Sequence, residues 1–350
     1  MNGWLEIEER IVDLRNSSEV KAIAGFLAGF DLGFDTDVEY TVAFYSHDEL
    51  VATGSFAGKV IRNVAVSANL QGEGLLAKVT SHLMQAMTAR GRNHYFVFTK
   101  PDKASLFIGI GFTEIARVEP YAALLEMGIY SVQKYCRDLQ QQTAQLPGER
   151  RAALVVNCNP FTYGHREVIA RAAAENEAVV VFVVASDLSL FPFDVRLQLV
   201  REGTGDLKNV AVVPGGDYII SSATFPGYFT RGEETVFAQT RLDATVFGRY
   251  IAPALGIVAR YVGEEPYCPV TAQYNSALAE ILPPLGVAVK IIPRLSVGGE
   301  VISASKVREM IRTGEWEALS QMVPASTYEY LRSPAAAAVL ERIRTSASRH

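Results

Sequence analysis

The sequence predicts an α/β protein of two domains, an α+β domain in front of a doubly wound parallel sheet, and three observations carry that prediction. The chain has 350 residues, whereas a single hydrophobic core stops growing at roughly 250 to 300. Its first third reads as an antiparallel meander leading into a long amphipathic helix. The remainder alternates apolar strands with helices, and the run from Val179 to Val184 (VVVFVV) is continuously apolar, as a strand covered on both faces must be.

Composition narrows the function classes. The chain is 49% hydrophobic and 20% charged with a net charge of −5, so it has no basic field for nucleic acid, and a small ligand is the better expectation. Its three cysteines, Cys136, Cys158 and Cys268, are odd in number and far apart, and there are only five histidines. This argues against a disulfide framework and against a protein metal site. The N-terminus, MNGWLEIEERIVDL, alternates apolar residues with acids. It resembles neither a signal peptide nor a membrane span, so a cytoplasmic location without membrane partners is expected.

In the first half, Asn16 to Ser18 precede a helical pattern (Val20, Ile23, Ala24, Phe26, Leu27, Phe30) that closes near Gly33. Strands are expected at Val38 to Tyr45, Leu50 to Phe56 and Val60 to Val66. The last leads through Gln71-Gly72-Glu73-Gly74 into a helix from Leu75 to about Arg90. A strand from His94 to Thr99, a short helix with Ser105, Leu106 and Phe107, and a strand entered through Gly109 to Phe112 complete this part. Ser131 to Leu146 is a polar, Gln-rich helix stopped by Pro147-Gly148. The expected division is therefore domain 1–130, linker helix 131–148 and domain 149–350.

The order strand, G-x-G turn, helix, strand, short helix, strand resembles the Gcn5-related N-acetyltransferase fold. That resemblance implies that Gln71, Gly72 and Gly74 wrap the pyrophosphate of a coenzyme-A-like group. It also implies that a splayed strand at Tyr95 to Thr99 holds the pantetheine arm. Glu73 departs from the pattern by placing a carboxylate in a phosphate loop.

The second half starts with VVNCNPFTYGHREVI (Val155 to Ile169): a strand, a turn with Pro and Gly, and a helix opening at a histidine. Such a helix start aims free N–H groups and the positive end of its dipole above the sheet, which makes it a phosphate seat. Further strands are expected at Ala178 to Ala185, Asn209 to Pro214, Thr245 to Phe247, Val258 to Val262 and Val287 to Ile292, with helices between them. A ligand should sit at the carboxyl ends of such strands. A second segment, Ile302-Ser303-Ala304-Ser305-Lys306-Val307-Arg308, puts Lys306 and Arg308 near a helix start, where cations oppose the macrodipole and an anion would remove the conflict. His165 fits the same logic, because a neutral imidazole can donate one N–H to a phosphate at a helix start.

Thr162-Tyr163-Gly164-His165 and Ile302 to Arg308 resemble the T/H-x-G-H and I-S-x-S-x-x-R signatures of the nucleotidylyltransferase superfamily, whose domain is Rossmann-like. The phrase from Asn157 to Arg166, behind an acetyltransferase-like domain, resembles one family within it, the citrate lyase ligases. The resemblance covers essentially the whole chain. It implies catalytic roles for Thr162, His165 and Arg308, and ATP or phosphate contacts for Asn159, Pro160, Phe161, Gly164, Arg196, Gly263, Ile302, Ser303 and Ser305. It implies the substrates ATP and acetate, with Mg²⁺ on the phosphates. It also implies acetyl adenylate as the intermediate and, as partner, the acyl carrier subunit of citrate lyase, whose prosthetic-group thiol would accept the acetyl group. The apolar loop from Tyr218 to Pro226 is expected to line the small-acid pocket through Tyr218, Ser221 and Phe225. Cys158 has no adjacent base and reads as a small buried hydrophobe. Two alternatives stand beside this reading. One is an adenylyltransferase of coenzyme or nucleotide metabolism fused to an acetyltransferase, and the other is a non-catalytic sensor of ATP or acyl-CoA.

Overall fold

The computed structural model describes residues 7–185, 189–219, 225–226, 229–230, 233–264, 269–297 and 300–346. The chain separates into two compact units, Met1–Val132 with Thr224–Leu242, and Gln133–Ala223 with Asp243–His350.

The first unit is built on a seven-stranded sheet of β1 (Ile7–Ile11), β2 (Tyr40–Ser46), β3 (Glu49–Ala57), β4 (Val60–Val66), β5 (His94–Thr99), β6 (Thr113–Val118) and β7 (Ala122–Gly128), in the order β1-β2-β3-β4-β5-β7-β6. The alternation of isoleucine with acids at the N-terminus thus encodes an edge strand, β1. Helix α1 (Ser17–Ala28) is capped by the Asn16 side chain, which accepts from Ser18 N, and buries Ile23 and Leu27. Those two pack with Ala43 and Ala65 on one face of the sheet. Helix α2 (Leu75–Thr88) places Leu75, Val79, Leu83 and Met87 four residues apart, so they form one stripe, buried on the other face with Phe44, Phe56 and Val97. The short helix α3 (Ala104–Ile108) adds Ala104 and Phe107 to that cluster.

Strands β4 and β5 run parallel but pair only at Val60↔Phe96 and Ile61↔Val97. Beyond those pairs they part, so their carboxyl ends leave an opening beside the start of α2. This splay, with the antiparallel meander before it and the β5-β7-β6 edge after it, is the acetyltransferase fold expected from the sequence. A stretch from the second half of the sequence also belongs to this unit. Phe225 meets Phe98 edge to face at 5.2 Å, and Phe237 meets Tyr121 at 4.7 Å.

In the second unit, α4 (Val132–Gln142) buries Tyr135, Cys136 and Leu139. The Tyr135 hydroxyl donates to Gly215 O at 2.5 Å, and Gln140 Nε2 donates to Ala254 O at 2.8 Å. The sheet comprises β8 (Arg151–Val156), β9 (Ala178–Val183), β10 (Val210–Pro214), β11 (Ile257–Gly263) and β12 (Ala288–Ile292), all parallel, in the order β10-β9-β8-β11-β12. The strand order reverses at β8, which puts the crevice for a ligand at its carboxyl end.

Helices α5 (Tyr163–Glu175), α6 (Phe193–Gly203), α10 (Ala304–Thr313), α11 (Trp316–Ser320), α12 (Ala325–Arg332) and α13 (Ala337–Thr345) pack with Leu154, Val181 and Tyr261. The opposite face carries Phe182, whose ring meets Phe247 at 6.0 Å. That residue follows α7 (Glu233–Val246), ahead of α8 (Ala252–Leu255) and α9 (Pro269–Ile281). The strand expected at Thr245 to Phe247 is therefore helical: it ends α7 and begins a π turn over Phe247–Ile251. The physical reason is that a short apolar run reads alike in a buried strand and in a helix buried all round, and Ala244, Val246 and Phe247 are wholly buried.

Candidate functional site

The loop after β8 begins with an exposed Asn157 and turns sharply at Cys158, whose φ of +53° lies in the left-handed region. It then passes through Asn159 and Pro160 to send Phe161 into the core. Helix α5 follows, and its first turn is a reciprocal cap. Thr162 Oγ1 accepts from His165 N at 3.4 Å, and His165 Nδ1 accepts from Thr162 N at 3.1 Å. Because Nδ1 accepts, the neutral ring carries its proton on Nε2. Burial, with the charge of Arg294 adding to it, holds the imidazole down at about 4. His165 is therefore neutral near pH 7, with one N–H outside the cap. The Phe161 ring, 6.1 Å away and inclined by 20°, backs the imidazole.

Gly164 is where the second motif meets the first. A Cβ there would stand 3.1 Å from Ile302 O and 3.5 Å from Thr162 Oγ1, so only glycine allows this approach without displacement. Ser303 caps α10, its side chain accepting from Lys306 N at 3.2 Å. Arg308, buried one turn on, donates through Nη2 to Ser305 Oγ at 3.2 Å and through Nη1 to Asn159 O. Burial, with Arg312 nearby, lowers its pKa and makes its charge costly, a cost that a bound anion offsets. The two motifs, more than a hundred residues apart in sequence, are thus one structure with two helix N-termini and a cation at its centre.

The other residues expected at the site separate into linings and supports. Asn159 is buried, and its Oδ1 accepts from Phe191 N at 3.1 Å, tying the loops after β8 and β9 together. Pro160, Phe161 and Ile302 are buried too, and Phe161 O accepts from Thr327 Oγ1 at 2.9 Å. Their side chains therefore brace the loop from behind. Gly263 ends β11 exposed, with its carbonyl accepting from Asn275 Nδ2 at 3.0 Å.

Arg196, expected to face a phosphate, is wholly buried. Its Nε donates to Phe191 O, and its Nη1 to Asn157 O, Asn157 Oδ1 and Val184 O, all at 2.8–3.0 Å. Helix α6 carries it inward beneath the loops, so it holds their carbonyls in place.

Of the residues expected to line a small-acid pocket, two are described. Tyr218 is buried against Tyr135 at 5.0 Å, and Phe225 packs on Phe98 in the first unit. Both rings have apolar partners within their own units. Ser221 lies outside the described residues. In the first unit, Gln71 is exposed, Gly72 and Gly74 take φ of +90° and +77°, and the cap of α2 has no side-chain bond. The start of α2 is thus free of a side-chain cap.

Two contributors were missed in the sequence. Arg294, just after β12, sends its charge toward His165 and donates to Glu264 O at 2.9 Å; a cation just past a parallel strand is the signal that could have found it. Thr327, in the C-terminal helices, carries no local signal. Burial pushes the Cys158 thiol far up, as befits an inert buried group. Among the described residues, no group of three or more His, Cys, Asp or Glu stands ready to hold a metal ion, and no helix is long and apolar enough to cross a membrane.

Known proteins share sequence and fold with this chain. The family described as citrate lyase ligase C-terminal domain matches residues 151–331. The citrate (pro-3S)-lyase ligase of Klebsiella pneumoniae is 36% identical over 330 residues, covering 93% of this chain and 96% of that protein. The phosphopantetheine adenylyltransferase of Corynebacterium diphtheriae is 26% identical over 160 residues, covering 42% of this chain and 98% of that one. Among solved structures, an acetyltransferase from Streptococcus agalactiae aligns with a TM-score of 0.32 at 10% identity, covering 36% of this chain and 100% of that one.

Proposed function

Because this chain belongs to the citrate lyase ligase family, we propose that it is an ATP-dependent, AMP-forming ligase that acetylates the prosthetic-group thiol of the citrate lyase acyl carrier subunit. In the first half-reaction an acetate oxygen attacks the α phosphorus of ATP, the bond to the bridging oxygen breaks, and pyrophosphate leaves. A simple carboxylate, with a pKa of about 4.3, is already ionised at pH 7, so no base is needed. What remains is positioning and neutralisation of charge. The neutral His165 Nε2–H donates to the phosphate oxygen where charge builds up. Arg308, Lys306 and the start of α10, capped by Ser303, hold the departing pyrophosphate. In the second half-reaction the thiolate attacks the acetyl carbonyl of acetyl adenylate, and AMP leaves with the C–O electron pair.

The observation that carries this reading is the cap between Thr162 and His165, which fixes a neutral donor at the end of the loop whose Asn159 carbonyl accepts from the buried Arg308. With no group of three or more acidic, His or Cys side chains among the described residues, a Mg²⁺ ion would be held by the ATP phosphates and water, supplying further charge neutralisation. The acetyltransferase-fold domain, with the open start of α2 next to the splay, suits a pantetheine arm and is the proposed seat of the thiol-bearing group.

Acetate-dependent exchange of pyrophosphate into ATP by the full chain tests the proposal. Exchange that requires acetate is expected, and ATP binding without any exchange would refute it.

A further inference from the structure

We propose that Asn157 and Ser189 form the seat of the carboxylate substrate, an inference that rests on the ligase reading above. Tyr218 and Phe225 are packed against rings within their own units, whereas two polar side chains stand open at the strand ends. Asn157 is exposed at the carboxyl end of β8, and Ser189 stands half-buried in the loop after β9. These are neighbouring strands at the centre of the sheet. The two side chains touch: Asn157 Nδ2 donates to Ser189 Oγ at 3.1 Å, and Ser189 Oγ donates to Asn157 Oδ1 at 3.2 Å.

The orientation of the amide follows from Arg196. A guanidinium only donates, and its Nη1 lies 3.0 Å from Asn157 Oδ1 and 3.0 Å from Asn157 O. The oxygen must therefore face Arg196 and the NH₂ must face Ser189. That NH₂ has two hydrogens and Ser189 takes one. The Ser189 hydroxyl gives its one hydrogen to Asn157 Oδ1, but that oxygen also accepts from Arg196, so the hydroxyl can turn to an incoming carboxylate without leaving it unpaired. Two neutral donors about 3 Å apart thus stand side by side at the strand ends, a spacing that suits the two oxygens of a carboxylate.

The chemistry of the pair favours a nucleophilic carboxylate over a passive one. A guanidinium in direct contact would hold the anion more tightly but draw on the lone pair that must attack phosphorus. Here the cation stands one residue behind, wholly buried, and polarises the Asn157 amide whose oxygen it holds. Arg196 is then a positioning residue that acts through Asn157. Eight residues further along the chain, His165 opens α5 at the same strand-end crevice.

The test uses Asn157→Asp and Ser189→Ala in the full chain, with exchange of pyrophosphate into ATP measured against acetate and ATP separately. Asn157→Asp keeps the contact with Arg196 but replaces the outward donor with a carboxylate oxygen. It should raise KM for acetate about tenfold or more. Ser189→Ala should raise it several-fold, and KM for ATP should stay within about twofold in both. Ser189→Ala decides the matter if Asn157→Asp does not fold. Unchanged KM for acetate in the folded variants, or an equal rise for ATP, overturns the seat while the wild-type exchange leaves the ligase reading standing. A wild-type chain with no acetate-dependent exchange removes both.

Discussion

If His165 works as a neutral donor, its activity should be blind to pH where histidines usually titrate. Burial beside Arg294 brings it down to about 4. At pH 5 a group with that pKa is about 10% protonated, whereas an unperturbed histidine at about 6.5 is about 97% protonated. Exchange at saturating acetate and ATP should therefore lose only about a tenth of its rate between pH 8 and pH 5 on account of His165. An ordinary imidazole would lose about thirtyfold.

Substitution separates donor from cap. His165→Gln puts an amide N–H as many bonds from Cα as Nε2 and should retain about a tenth of the rate. His165→Asn reaches only the Nδ1 position, and it should fall by about 10²- to 10³-fold, the worth of one charge-stabilising donor. A rate limb with a midpoint between pH 6 and 7 that vanishes in His165→Gln would refute the reasoning. Stability moves in a stated direction as well. The folded pKa lies below the unfolded one, so His165's contribution is complete above about pH 6.5 and is lost as pH falls towards 4, by at most about 3 kcal/mol. Chemical denaturation at pH 7 and pH 4.5 checks the sign.

Two further outcomes follow from close approaches and open helix starts. Gly164→Ala would set a Cβ 3.1 Å from Ile302 O; alanine's helix preference offsets the crowding by up to about 1 kcal/mol, so thermal stability should change little. A shift of a few tenths of an ångström between the two motifs should nonetheless lower exchange about tenfold, and an unchanged rate would show that the spacing is not catalytic. Gly74→Asp sets a carboxylate at the uncapped start of α2, where φ is +77°. Acetyl transfer to the carrier thiol should fall while ATP–pyrophosphate exchange is preserved, and equal loss of both in a folded variant would count against the proposed role of the first unit.

Periodicity and motif spacing made most of the fold legible, because the features they report are local. The stripe Leu75, Val79, Leu83, Met87 and the run VVVFVV state which face is buried before any partner is known. Thr162 to His165 and Ser303 to Arg308 were legible for a similar reason: a helix start needs its caps within three residues, so the chemistry of the turn is written in the turn. What stayed hidden depends on partners remote in sequence. Arg196 looks like any helix arginine until β8 and β9 bring Asn157, Val184 and Phe191 around it. Phe225 looks like the wall of a pocket until it meets Phe98 in the other half of the chain.

The same distinction explains where the site is rigid. Three separate segments are tied through Asn159, whose carbonyl accepts from Arg308 and whose amide oxygen accepts from Phe191 N. Losing one of these bonds would leave a buried group unsatisfied and so cost more than the bond's own net contribution. The loop after β8 therefore cannot shift alone. Movement of Asn157, His165 or Arg308 relative to the others requires several such groups to lose their partners together, so the positioning on which a reaction without a base depends is built into the supports behind the site.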